Sequence, residues 1–189
     1  MLKNLPNILT LSRIAAVPVM IAMMMLFDAG VASWSAFAVY TYACVTDFFD
    51  GYVARALNEQ SPLGRFLDPV ADKLLVGAVL MLLAGYDKIG GWTLLPALII
   101  LMREILVSGL REFLAELHVS VPVSRLAKWK TTIQMLALGF LLVGEHSPEA
   151  IPSVLIGTWG IWAAAILTLV TGYDYLRSGL KHITGSGEA

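Results

Sequence analysis

Residues 47–72 read DFFDGYVARALNEQSPLGRFLDPVAD, and the sequence on either side of them decides the fold. Residues 29–46 contain no Asp, Glu, Lys or Arg, and neither do residues 74–86. Crossing the hydrocarbon of a bilayer takes roughly 20 residues of helix. The first arm comes close to that length and the second falls short. Both must therefore continue into the charged segment, the first forward through Asp47 and Asp50, the second backward through Lys73, Asp72 and Asp68. The link, residues 56–60, is polar, and Ser61 followed by Pro62 pairs a helix N-cap with a first-turn proline. The segment is expected to be a hairpin of two antiparallel membrane helices with its charges at one surface.

The same alternation runs along the chain. Four further charge-free stretches cover residues 14–27, 89–102, 131–144 and 150–173. The first extends backward through Arg13, the second forward through Arg103, Glu104 and Arg111, and the third backward through Lys130, Lys128 and Arg125. The last meets Asp174, Arg177 and Lys181 only beyond its end. Six antiparallel helices put all of these charges on one side. The turns of the other side, residues 27–33, 85–91 and 144–152, hold one of the 13 basic residues, Lys88. By the positive-inside rule the charged side is cytoplasmic and holds both termini. The expected fold is all-α, a polytopic membrane protein with six transmembrane helices and a single domain over residues 1–189.

Composition agrees. Of the 189 residues 58% are hydrophobic and 14% charged, with a mean hydropathy of +0.75. Soluble domains sit near 45–50% apolar and about 25% charged. A soluble enzyme and a disordered chain are excluded, and a net charge of -1 argues against a nucleic-acid partner. The one cysteine, Cys44, allows no internal disulfide. The apolar start lacks a small-residue cleavage site, so the first helix is expected to be a span rather than a removable signal peptide.

Thirteen or fourteen apolar residues rise only ~20 Å against a ~30 Å core, so several charges stand at membrane depth. Such groups are costly and mark functional sites when they face a bundle interior. Lys and Arg have the alternative of snorkelling to the headgroups, which short aspartate lacks. Asp47, Asp50, Gly51 and Ala54 share one helix face, and Gly64, Asp68 and Asp72 recur at i, i+4 and i+8 on the next. Pro69 removes a hydrogen bond within that second helix, where a bend is expected. Four carboxylates thus converge beside small residues. Hard divalent cations, Mg2+ or Mn2+, neutralise such a set, and two of them are a device for displacement at phosphorus. Arg55 adds a donor for phosphate. A proton relay, or salt bridges to Arg55, Arg65 and Lys73, are the alternatives that spacing leaves open.

The pattern Asp47-x2-Asp50-Gly51-x2-Ala54-Arg55-x8-Gly64-x3-Asp68-x3-Asp72 resembles, at every fixed position, the signature of the CDP-alcohol phosphatidyltransferase family. The resemblance implies a six-helix membrane enzyme, homodimeric, with its site open to the cytoplasm of a bacterial inner membrane. It implies that Asp47, Asp50, Asp68 and Asp72 hold two divalent cations and that Asp72 is also the catalytic general base. It places Asn7, Thr10, Gly51, Ala54, Arg55, Ser61 and Gly64 at the CDP-diacylglycerol pocket. The implied reaction is attack of an alcohol on the lipid-side phosphorus, with CMP leaving.

The acceptor is sought in the remaining charged helix ends. Arg103 and Arg111 on the fourth helix, and Arg125, Lys128, Lys130 and Thr132 on the fifth, suggest a second anion, since the metals already answer the diphosphate. Glycerol-3-phosphate or inositol phosphate supplies one; choline, ethanolamine or serine does not. Pairing with Glu104, Glu112 and Glu116, or contact with anionic lipid, remains the alternative. Asn7-Ile-Leu-Thr10-Leu-Ser-Arg13, Arg103-Glu104, Arg111-Glu112 and Lys128-Trp-Lys130-Thr131 resemble the branch of the family that uses glycerol-3-phosphate, from which Ala127 departs where that branch commonly has Gly. These six residues are expected to bind glycerol-3-phosphate. A same-family transferase using another alcohol is the nearest alternative, and a small ion-coupled transporter the one from another class. His118, His146 and His182 have no ligand spacing, and Trp34, Trp92 and Trp159 read as interfacial anchors.

Overall fold

A computed structural model describes residues 5–57, 62–117, 119 and 125–183. Among them are six long helices: α1 (Leu5–Leu26), α2 (Ala29–Leu57), α3 (Pro62–Gly85), α4 (Leu94–Glu116), α5 (Arg125–Val143) and α6 (Ser153–Ile183). Short 3-10 turns precede α4 (Gly91–Thr93) and follow α5 (Gly144–His146). α2 carries Asp47, Asp50 and Arg55 within its last three turns, and α3 begins at Pro62 as the proline signal predicts. α3 runs unbroken through Pro69, and α1 through Pro18.

Among the described residues four segments are long and apolar enough to cross a membrane: Asn7–Leu26, Gly91–Glu116, Leu126–His146 and Ser153–Arg177. α2 and α3 have the length, 29 and 24 residues, but the acids and interspersed polar residues dilute their apolar character. Among the described residues both nevertheless expose large apolar side chains: Val31, Tyr42, Val45 and Phe49 on α2, Phe66, Leu74 and Met81 on α3. Trp92 and Trp159 are 83% and 69% exposed, as anchors at an interface would be.

The chain divides into two compact units, residues 1–89 with 138–157, and residues 90–137 with 158–189. In the first, α1 packs along both α2 and α3. The contact is built from small and flexible side chains, with Ala16, Met20, Ala36, Ala43, Ala71 and Val79 buried, because close backbone approach is what holds helices together in lipid. Tyr42 donates from its hydroxyl to Ser12 Oγ at 3.2 Å, tying α2 to α1. At the far end of this unit, Lys88 donates to Ser33 Oγ at 2.8 Å and to the Leu142 carbonyl at 2.6 Å, so this lysine fastens the start of α2 and the end of α5 to its own turn. Burial pushes the Lys88 ammonium below the ordinary lysine range, partly offset by the Glu145 carboxylate. Gly144, just past α5, has φ +57°, the left-handed conformation that closes a helix end.

In the second unit glycines let α6 approach its neighbours. A Cβ at Gly160 would lie 2.7 Å from the Ala137 Cβ of α5. One at Gly172 would meet Arg103 Cγ at 3.1 Å, and one at Gly179 would meet Leu110 and Leu114 at 3.0–3.2 Å. α4 and α6 are thereby in contact along the stretch that carries Arg103.

Candidate functional site

Three of the motif carboxylates attach to one face of α1. Thr10 donates from Oγ1 to Asp68 Oδ1 at 2.6 Å. Arg13, one turn on, donates from a single nitrogen, Nη1, to Oδ1 of Asp47 and, at 2.9 Å, to Oδ1 of Asp72. Thr10 and Arg13 are 0% and 1% exposed, whereas the side chains of Asp47 and Asp72 are 33% and 53% exposed. The donors lie on the sealed side of the cluster and the acids remain open on the other. One guanidinium thus joins Asp47 of α2 to Asp72 of α3, and offsets part of their repulsion in a place where unpaired charge is costly.

Arg13 is the residue that sequence reasoning left out of the site. The signal was present: Asn7, Thr10 and Arg13 stand at i, i+3 and i+6, so they share a face, and Arg13 lies at the apolar helix's charged end. A lone arginine there is equally able to snorkel, and only the contacts with Asp47 and Asp72 decide between the two. Thr10, expected at the nucleotide lipid, has its hydroxyl on Asp68.

Gly64 is buried and Asn7 half-buried. Gly51, Ala54 and Arg55 lie on the last two turns of α2, and Asp50 just before them, but the side chains of Asp50, Ala54 and Arg55 lie outside the described residues, as does Ser61 entirely. Asp47, Asp68 and Asp72 present only oxygen donors, the chemistry that suits a hard divalent cation. Among the described residues no three His, Cys, Asp or Glu side chains close to metal-binding distance. The four-carboxylate set also needs Asp50.

In the second unit the basic residues divide. Lys130 is buried, and its Nζ donates to Glu104 Oε1. Arg103 lies 3.7 Å from the same carboxylate and donates from Nη2 to Thr171 Oγ1 at 3.2 Å. Arg111 stacks over the Tyr175 ring at 5.6 Å. Lys128 and Thr132 are exposed, and the Thr132 hydroxyl donates to the Lys128 carbonyl of its own helix. Lys130 and Lys128, two residues apart on a helix, therefore face different ways, and the pairing with Glu104 left open by the sequence holds for Lys130. The Arg125 side chain lies outside the described residues.

A cavity of about 520 Å³ lies at the opposite turns of the first unit, lined by Phe27, Ser33, Lys88, Glu145 and His146 among others. Among the described residues no motif aspartate lines it. His146 is held there by structure, its carbonyl accepting from Trp34 Nε1 at 3.1 Å.

Comparison with known sequences agrees with the motif. The profile of the CDP-alcohol phosphatidyltransferase domain matches residues 3–170. A Rickettsia bellii protein is 47% identical, the match covering 95% of this chain and 97% of its own length. An Escherichia coli K12 protein is 41% identical over 93% of this chain and 94% of its own, and one from Cereibacter sphaeroides is 39% identical over 95% and 97%. All three are named CDP-diacylglycerol–glycerol-3-phosphate 3-phosphatidyltransferase. With the domain profile spanning most of the chain and such relatives matching it nearly end to end, this chain belongs to the CDP-alcohol phosphatidyltransferase family.

Proposed function

We propose that the chain transfers the phosphatidyl group of CDP-diacylglycerol to glycerol-3-phosphate, forming phosphatidylglycerophosphate and releasing CMP. The observation that carries this reading is the near full-length relationship, at 39–47% identity, to proteins bearing that name. The open carboxylates on α2 and α3 supply the chemistry. Asp72 takes the proton from the acceptor hydroxyl as its oxygen bonds to the lipid-side phosphorus, while the bond from that phosphorus to the CMP oxygen breaks. Asp47, Asp50, Asp68 and Asp72 are the residues that would hold two Mg2+ or Mn2+ ions, which when bound neutralise charge on the diphosphate and the departing CMP. Asn7, Gly51, Ala54, Arg55, Ser61 and Gly64 take the nucleotide lipid, together with Thr10, which acts on it through Asp68. The basic residues of α4 and α5, namely Arg103, Arg111, Arg125, Lys128 and Lys130 with Thr132, take the acceptor phosphate.

The same reading has all six helices crossing the bacterial inner membrane as one domain, with both termini and the acids on the cytoplasmic side and two copies forming a dimer. The large apolar side chains exposed on α2 and α3 support it. The test is an acceptor panel scored by product mass, with CMP release measured with and without EDTA. Expected is a product with glycerol-3-phosphate that disappears on chelation. Turnover that persists in EDTA refutes the metal ions, and preference for a neutral alcohol refutes the acceptor. Impermeant thiol labelling of Lys88→Cys from outside intact cells, in a Cys44→Ser background, checks the orientation; labelling of Asn58→Cys instead inverts it.

A further inference from the structure

We infer that Thr10 and Arg13 are positioning residues for the motif carboxylates, holding Asp68, Asp47 and Asp72 from behind so that their open side keeps the orientation a metal ion needs. The inference rests on the metal reading above. A free carboxylate turns broadly about its last bond. A charge-assisted bond from a buried donor stops that rotation, and the 2.6 Å contact from Thr10 to Asp68 is in the short range of such bonds. Arg13 goes further, because one nitrogen serves Oδ1 of both Asp47 and Asp72 and so sets the spacing between α2 and α3 at the acids.

Burial decides between this role and the obvious alternative, a cation that merely occupies the metal's place. A substitute for the metal would share the open side with the carboxylates. Arg13 is 1% exposed and Thr10 0%, against 33% and 53% for the Asp47 and Asp72 side chains, so both donors lie on the closed side. They need not leave for an ion to enter. Residues that orient metal ligands in this way typically change metal affinity by about 10–100-fold when removed.

The test is Mn2+ binding to the full chain in detergent, read from the free-ion EPR signal, for the wild type, Thr10→Val, Arg13→Met and Arg13→Lys. Thr10→Val and Arg13→Met are expected to weaken binding by about 10–100-fold, with Arg13→Lys in between. Unchanged affinity in Thr10→Val overturns the inference. So does tighter binding by Arg13→Met, which would make Arg13 a competitor for the site. Thr10→Val exchanges a hydroxyl for a methyl of the same shape, so it decides the matter even where Arg13→Met does not fold. A wild type that binds no Mn2+ overturns the metal reading and this inference together, a pattern distinct from wild-type binding that the substitutions leave alone.

Discussion

Replacing Glu104 by glutamine removes the negative charge that lies beside two cations. Glu104 Oε1 accepts from Lys130 Nζ and stands 3.7 Å from Arg103 Nη1. The Lys130 side chain is only 4% exposed, Arg103 14% and Glu104 21%, so water cannot replace what the carboxylate supplies. Removing one partner of a buried pair costs about 3–5 kcal/mol, because the other charge stays buried without compensation. For a chain of this size each kcal/mol moves the midpoint by roughly 2–4 °C, so the melting temperature of Glu104→Gln should fall by roughly 6–20 °C. Tryptophan fluorescence of the detergent-purified protein on heating measures it. Glu104→Gln/Lys130→Met, which takes out the Glu104–Lys130 pair and leaves only the more exposed Arg103, should recover part of the loss, since apolar replacement of a buried pair is often neutral. A Glu104→Gln protein that melts with the wild type refutes the reasoning, and so does a double variant no more stable than the single one. A stable double variant that no longer uses glycerol-3-phosphate would assign Lys130 to the acceptor as well as to Glu104.

Other outcomes follow from the same geometry. Gly160→Ala puts a methyl 2.7 Å from Ala137 Cβ, where carbon contacts prefer about 3.5–4.0 Å, and should cost about 1–3 kcal/mol in a melting experiment; an unchanged midpoint would deny the close approach of α5 and α6. Asp72→Asn should lower kcat by about 10²–10⁴-fold with CDP-diacylglycerol still bound, as befits loss of a general base, and lost lipid binding would assign Asp72 to ligation alone. Asp68→Asn should abolish turnover while leaving the protein folded, and normal turnover in CMP release would refute its place in the site. Because Lys88 titrates below the ordinary lysine value, the unfolded chain holds more protons than the folded one between those two values. Wild-type stability should therefore rise with pH through that alkaline window relative to Lys88→Gln, and a flat or falling difference in melting temperature would contradict it.

Much of this protein was legible in one dimension. The lengths of the charge-free stretches, and the direction in which each runs into charge, are properties of neighbouring residues and predict six long helices, which are found. The spacing of Asp47, Asp50, Asp68 and Asp72 is likewise local, because helical periodicity alone puts each pair on a face. Pro62 marks a helix start through its own fixed φ, whatever surrounds it.

What the tertiary structure decided is partnership across long separations. Arg13 meets Asp47 and Asp72 over 34 and 59 residues, and Thr10 meets Asp68 over 58. No periodicity reports that α1 lies against both acid-bearing helices. Lys128 and Lys130 look equivalent in sequence, yet one is exposed and the other is buried on Glu104, since a helix's own pattern does not name the face its neighbours cover. Gly160 in isolation is one more small residue in an apolar span; the nearness of Ala137 makes it necessary. Sequence determines which residues form each helix face, because that follows from covalent geometry. Which faces meet is settled by packing, where contacts between distant residues compete for the same space.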